Sequence, residues 1–149
     1  GFLLNNELTD FSFSSHIDGV PVANRVEPGK RPRSSMSPTI VLKDGLPNLV
    51  IGSPGGSRII GYVVQAIVAH IDWGMNVQAA VSTSHAVNRF GTYDLEKSTP
   101  LENMVEPLEA LGYKVKLRAL NSGLHAISIT KDGLAGGADP RREGIALGQ

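Results

Sequence analysis

The chain has 149 residues, of which 41% are hydrophobic and 19% are charged, and its formal net charge at pH 7 is zero. The length suits one domain or one subunit of a larger protein, with enough hydrophobic residues to bury a core. A zero net charge gives no electrostatic basis for binding nucleic acid or an anionic membrane. The chain contains no cysteine, which excludes disulfides, zinc–thiolate sites and cysteine nucleophiles.

The first thirty residues are predicted to be mainly irregular. Residues 1–4 form an apolar run that is typical of a strand and too short for a signal peptide. Ser12–Lys30 is rich in turn-forming residues and is predicted to be a long surface loop. Between them, Glu7 and Asp10 could bracket an ammonium group or act as an acid/base pair. Their spacing alone favours ordinary solvated loop acids.

A hairpin is predicted in the middle of the stretch from residue 28 to residue 60. Two apolar runs, Thr39–Leu42 and Leu49–Ile51, flank Lys43-Asp44-Gly45, and Asp-Gly is a typical turn dipeptide. Such a strand pair would bring Arg33–Pro38 and Gly52–Arg58 to the same end of a sheet. The first of these segments offers hydroxyls and a guanidinium group, and the second offers backbone amides that no side chain can block.

A helix is predicted over Ile59–Ile71, where apolar residues recur at helical spacing. Gly55, Gly56 and Ser57 would then lie at its N-terminus, where unpaired N–H groups and the helix dipole favour negative charge. The spacing alone favours a simple tight turn before a core helix. No Lys-Ser or Lys-Thr follows the glycines, so the phosphate-binding P-loop pattern is absent. The helix is also too short to span a membrane.

The remainder of the chain alternates predicted helices and strands, which suits an α+β or layered α/β fold. Pro107 is expected to kink or split the helix predicted over Leu101–Leu111. The alternation of helix-like and strand-like patterns breaks at residues 88–92. The predicted elements are a helix capped by Asn76 and ending near His85, a strand over Tyr93–Glu96, a helix over Leu101–Leu111, a strand over Tyr113–Leu117, and a hairpin of Ala126–Ile129 with Leu134-Ala135.

Three other candidate sites receive no catalytic or metal-binding role. The four histidines have no metal-ligand spacing, so no metal is assigned. The G-x-S-x-G pattern of serine hydrolases is absent, because Gly52-Ser53-Pro54-Gly55 does not match it. Asp139-Pro140-Arg141-Arg142 is interpreted as a structural ion-pair clamp.

Three motifs resemble the small subunit of γ-glutamyltransferases, which are autoprocessed N-terminal-nucleophile hydrolases. They are GFLLNNELTDF at residues 1–11, GKRPRSSMSPTIV at residues 29–41 and GSPGGSRII at residues 52–60. The resemblance covers essentially the whole chain, and it implies that residues 1–149 are the C-terminal portion of a small-subunit domain. It further implies a four-layer αββα sandwich, no cofactor, and a periplasmic or extracellular location.

The resemblance also implies roles for six residues. Glu7 and Asp10 correspond to positions that hold the α-amino group of the γ-glutamyl donor. Ser34 and Ser35 correspond to the paired serines that bind its α-carboxylate, for which adjacent hydroxyls are suitable donors. Gly55 and Gly56 correspond to the backbone oxyanion hole, where a side chain would crowd the carbonyl.

The activity implied by the resemblance is hydrolysis or transfer of the γ-glutamyl group of glutathione and related amides, through a threonine acyl-enzyme. Water, an amino acid or a peptide would be the acceptor. The family's threonine has no counterpart here, so the large subunit and a nucleophile-bearing segment are expected partners, and the chain alone is expected to be inactive. Two alternatives stay open: a related cephalosporin or glutaryl acylase, and a non-catalytic binding or scaffold module.

Overall fold

The computed structural model describes residues 4–148, and the chain divides into two compact units, Gly1–Ser35 and Met36–Gln149. The first unit contains a 3₁₀ helix, Glu7–Asp10, and two short antiparallel strands. These strands, β1 (His16–Ile17) and β2 (Val20–Pro21), interrupt the predicted loop. The strand predicted over residues 1–4 lies outside the described residues except for Leu4, which is in no strand.

The second unit combines helices with two sheets, as the sequence predicts. One sheet is antiparallel, with the strand order β3-β4-β8-β9. The other has the order β5-β6-β7, in which β6 and β7 are parallel. The elements are β3 (Thr39–Lys43), β4 (Leu46–Gly52), a 3₁₀ helix (Gly56–Arg58), α1 (Ile59–Ile71), α2 (Val77–Ser82), β5 (Ala86–Arg89), β6 (Thr92–Glu96), a 3₁₀ helix (Pro100–Met104), α3 (Val105–Ala110), β7 (Lys114–Arg118), β8 (His125–Thr130) and β9 (Gly133–Ala138).

The central hairpin and the helix after it are confirmed. Strands β3 and β4 meet at a turn in which Asp44 and Gly45 have φ of 52° and 79°, as a tight hairpin turn requires. Thr39 pairs with Ile51, so the chain enters β3 and leaves β4 at the same end of the sheet. Helix α1 has the predicted bounds.

Two of the later predictions are wrong in detail. Asn76 caps α2 as expected, since its Oδ1 accepts from the Ala79 N–H at 2.8 Å. The helix nevertheless ends at Ser82 rather than near His85, because Thr83 has a ψ of 137°. Strand β5 was not predicted; the break falls instead at Phe90-Gly91, where both residues have positive φ.

The helix predicted over residues 101–111 is split, as Pro107 suggested. A 3₁₀ helix occupies Pro100–Met104 and α3 follows it, with Thr99 as the N-cap of the first segment. Pro107 lies in the first turn of α3, where its missing N–H has no intrahelical carbonyl to meet.

The core lies between the four-stranded sheet and the helices α1 and α2. Alternate residues of β4, Leu49 and Ile51, point into it, whereas Val50 between them is 37% exposed. Strand β8 alternates in the same way, with Ala126 buried and Ile127 exposed. The sheet therefore buries one face and leaves the other open. Within residues 4–148, no helix has the length and apolar character needed to cross a membrane.

Candidate active site

The segment between β4 and α1 forms a turn with little freedom at its first glycine. Gly55 has φ of 138° and ψ of 14°, and Gly56 has φ of 59°. A Cβ atom on Gly55 would lie 2.8 Å from Cε2 of Tyr62, whereas one on Gly56 would meet nothing within 4 Å. Position 55 therefore requires glycine on both conformational and steric grounds.

The amides of this turn are available to a ligand. Among the described residues, neither the Gly55 nor the Gly56 N–H donates a hydrogen bond. The neighbouring Ser53 side chain is occupied, because its Oγ donates to the Pro54 carbonyl at 2.7 Å and accepts from the Gly123 N–H at 3.2 Å. Two adjacent free donors ahead of a helix suit an anionic oxygen.

Two arginine contacts tie the turn to the three-stranded sheet. Arg58 donates from Nε and Nη2 to Oδ2 of Asp94, at 2.9 and 2.6 Å, and Arg118 donates to the other oxygen at 2.8 Å. Asp94 is only 2% exposed; burial raises the pKa of its carboxyl, but the hydrogen bonds from both arginines lower it below the usual value overall. Arg89 also donates to Oγ of Ser57 at 2.6 Å.

The C-terminal clamp is confirmed. Arg141 donates to both oxygens of Glu96, at 2.6 and 2.7 Å, and to Oδ1 of Asp139 at 3.0 Å. Burial raises the pKa values of both carboxyls, but hydrogen bonding to Arg141, and to Ser122 in the case of Asp139, lowers them overall. The clamp therefore remains charged at neutral pH and joins β6 to the residues after β9.

The candidate donor-binding residues lie in the first unit. Glu7 and Asp10 bound the 3₁₀ helix, and Oε1 of Glu7 is buried without a hydrogen-bond partner among residues 4–148. The Asp10 carboxylate likewise makes no hydrogen bond within the described chain; both side chains are half-buried. Ser34 is exposed and Ser35 is half-buried, in a segment without regular structure.

Asn24 links the two halves of this group, and the sequence provided no signal for it. Its Nδ2 donates to the Asp10 carbonyl at 2.7 Å, and its Oδ1 accepts from the Arg33 N–H at 2.8 Å. One side chain thus connects the backbone beside Glu7–Asp10 to the backbone directly before Ser34. Gly55 and Gly56 belong to the second unit.

Metal-binding clusters are absent from the described residues: no group of three or more His, Asp or Glu side chains there could hold an ion. One of the four histidines, His70, links α1 to β8 and to the loop before α2. Its Nδ1 lies 2.7 Å from the Met75 carbonyl, and its Nε2 lies 3.1 Å from Oγ of Ser128.

Comparisons with known proteins identify the family of this chain and its fold. The profile of the Gamma-glutamyltranspeptidase family matches residues 1–149. The glutathione hydrolase proenzymes of Escherichia coli and Bacillus subtilis are 44% and 41% identical over 95% and 99% of this chain. The gamma-glutamyltranspeptidase of Pseudomonas nitroreducens, complexed with L-DON, superposes with a TM-score of 0.82 and 34% identity, covering 100% of this chain and 82% of that one.

Two conclusions follow from these similarities. The structural match confirms the predicted fold class, because those structures have the αββα sandwich of N-terminal-nucleophile hydrolases. The chain spans about a quarter of the length of the two proenzymes, 26% and 25% respectively. The three motifs and the profile match over residues 1–149 show that the chain belongs to the gamma-glutamyltranspeptidase family.

Proposed function

We propose that the protein carrying this chain hydrolyses or transfers the γ-glutamyl group of glutathione and related γ-glutamyl amides. The observation that carries the proposal is the pair of unbonded amides at Gly55 and Gly56, ahead of α1. The chain contributes these amides and the donor-binding side chains as part of a small subunit. A large subunit and a segment bearing the nucleophilic threonine complete the assembly.

The two glycine amides would act on the charge that forms during acyl transfer. The threonine hydroxyl attacks the γ-carbonyl carbon, and its proton passes to the threonine's own α-amine. The carbonyl oxygen becomes an anion and accepts hydrogen bonds from Gly55 and Gly56. The C–N bond then breaks, and the amine leaves with the proton. Water or an acceptor amine attacks the acyl-enzyme in the second half of the reaction.

The first unit would recognise the amino-acid head group of the donor. An ammonium group requires acceptors, which Glu7 and Asp10 provide, and a carboxylate requires donors, which Ser34 and Ser35 provide. The unpartnered Oε1 of Glu7 supports this assignment, because a buried carboxylate oxygen without a partner carries a free-energy cost that a bound ammonium would remove. The Asn24 hydrogen bonds would keep the two sets of groups together.

The proposal is tested by comparing γ-glutamyl-p-nitroanilide with glutaryl-p-nitroanilide in the assembled enzyme, because the two substrates differ by the ammonium group. Asp10→Ala should lower kcat/KM for the γ-glutamyl substrate by about 5- to 150-fold, which corresponds to about 1–3 kcal/mol, and leave the glutaryl substrate unaffected. Glu27→Ala is the control, since that carboxylate already pairs with Arg25 and Lys30 and should affect neither substrate.

Other outcomes would favour the alternatives. Equal losses on both substrates would show that Asp10 does not read the ammonium group, as expected of a glutaryl or cephalosporin acylase. Failure of the assembled, correctly processed enzyme to turn over either substrate would favour a non-catalytic module. The isolated 149-residue chain should be inactive, because its amides can stabilise an oxyanion but cannot attack a carbonyl; activity of the purified chain would refute this division of roles.

A further inference from the structure

The ring of Tyr62 contacts both the glycine turn and a buried histidine. The Cε2 and Cδ2 atoms at its edge lie 2.8 and 3.2 Å from where a Cβ of Gly55 would be, so the ring directly contacts the glycine backbone. The ring of His85 packs on the same tyrosine ring, with centroids 4.2 Å apart and a tilt of 35°. Both side chains are 1% exposed. The tyrosine therefore has little room to move away from the turn.

His85 is itself held in place by hydrogen bonds. Its backbone N–H donates to Oε2 of Glu96 at 2.8 Å, and its backbone carbonyl accepts from the Glu96 backbone N–H at 2.9 Å. Its Nε2 lies 2.6 Å from Oγ of Ser122, and that hydroxyl donates its only proton to Asp139. The network therefore assigns Nε2 as the donor to Ser122. Because burial and the charge of Arg141 lower the pKa of His85 to about 4, the ring is neutral at pH 7 and carries its proton on Nε2.

We propose that Tyr62 is a positioning residue for the oxyanion hole, with His85 holding its ring against Gly55. The inference rests on the proposed function, because it assigns a role to a contact of the same turn. Neither Gly55 nor Gly56 has a side chain with which to hold the turn, and their amides make no hydrogen bonds among the described residues. The contact with the ring edge limits how the Gly55 backbone can rotate, and thereby aims its amide.

The kinetic test uses three variants of the assembled enzyme. Tyr62→Leu removes the flat ring and should lower kcat on γ-glutamyl-p-nitroanilide by about 10- to 100-fold with KM within about twofold, because a misplaced donor acts mainly on the transition state. Tyr62→Phe keeps the ring and should restore kcat to near normal. Val81→Ala, a fully buried truncation in α2, should lower Tm while leaving kcat unchanged.

A double-mutant cycle provides a measurement that does not depend on activity. Gly55→Ala should lower Tm more in the wild-type background than in Tyr62→Leu, because only the wild-type ring meets the new Cβ. Additive Tm shifts, or a Tyr62→Leu enzyme with normal kcat, would overturn the inference. If the unmodified enzyme fails to cleave the anilide while the Tm shifts are non-additive, the proposed function is refuted and the Tyr62 contact with Gly55 stands.

Discussion

Replacing Gly55 by alanine should disable the proposed oxyanion hole. An alanine at φ of 138° is strained by about 1–3 kcal/mol, because this region is sparsely populated by L-residues. Its Cβ would also lie 2.8 Å from the Tyr62 ring, which is fully buried and packed against His85 and so has little room to retreat. The turn must therefore move, and its amide with it.

The expected kinetic loss follows from losing one donor to the oxyanion. Such a loss typically costs about 2.7–4 kcal/mol in activation free energy, or about 10²–10³ in kcat, with a small change in KM. The assay measures kcat and KM of the assembled enzyme on γ-glutamyl-p-nitroanilide, with Tm measured on the same samples. Tm should also fall, because the strain and the steric clash act on the folded state.

Gly133→Ala is the matched control. Gly133 has φ of 127°, close to that of Gly55, but a Cβ there would meet nothing within 4 Å, and the residue begins β9 directly after the β8–β9 turn. The Gly133→Ala enzyme should have a lower Tm, through backbone strain alone, and an unchanged kcat. A well-folded Gly55→Ala enzyme with near-normal kcat would refute the reasoning, and the glycine would then only shape a turn before a helix.

Three further predictions concern separate parts of the chain. Gly56→Ala should reduce kcat less than Gly55→Ala does. It should lower Tm about as much as Gly74→Ala, because Gly56 and Gly74 both have left-handed φ, 59° and 69°, and open space around a new Cβ. A larger fall in Tm for Gly56→Ala than for Gly74→Ala would contradict this. Asn24→Asp removes the donor to the Asp10 carbonyl. Steady-state kinetics should show a KM for the γ-glutamyl substrate that is about 5- to 150-fold higher, with kcat little changed. An unchanged KM would show that other contacts hold the Glu7–Asp10 helix and the Ser34–Ser35 segment together. Burial and the charge of Arg141 lower the pKa of His85 to about 4 from its ordinary value of 6.5. Between these two pH values only the unfolded chain takes up the proton. The contribution of His85 to the free energy of unfolding is therefore fully present above pH 6.5 and falls by about 3 kcal/mol as the pH drops to 4. Denaturant titrations at several pH values should show that the free energy of unfolding depends less steeply on pH in His85→Gln than in the unmodified protein. An identical pH dependence would exclude His85 as the cause.

Local features of the sequence correctly predicted several parts of the fold. Asp44-Gly45 adopts positive φ at low cost whatever surrounds it, and the apolar spacing of Ile59–Ile71 repeats with the helical period. The Asn76 cap joins groups three residues apart. Each of these signals is read within a few residues, and the three motifs were sufficient to identify the family and hence the layered fold.

Packing between distant residues decided the rest. The existence of β5 depends on pairing with β6, which the residues of β5 do not reveal by themselves. Asn24 bonds to groups 14 and 9 residues away, and the clamp joins Arg141 to Glu96 across 45 residues. Gly55 belongs to a glycine motif in the sequence, but only the folded chain sets its φ and holds the Tyr62 ring against it, because the ring is fixed by burial and by packing against the distant His85.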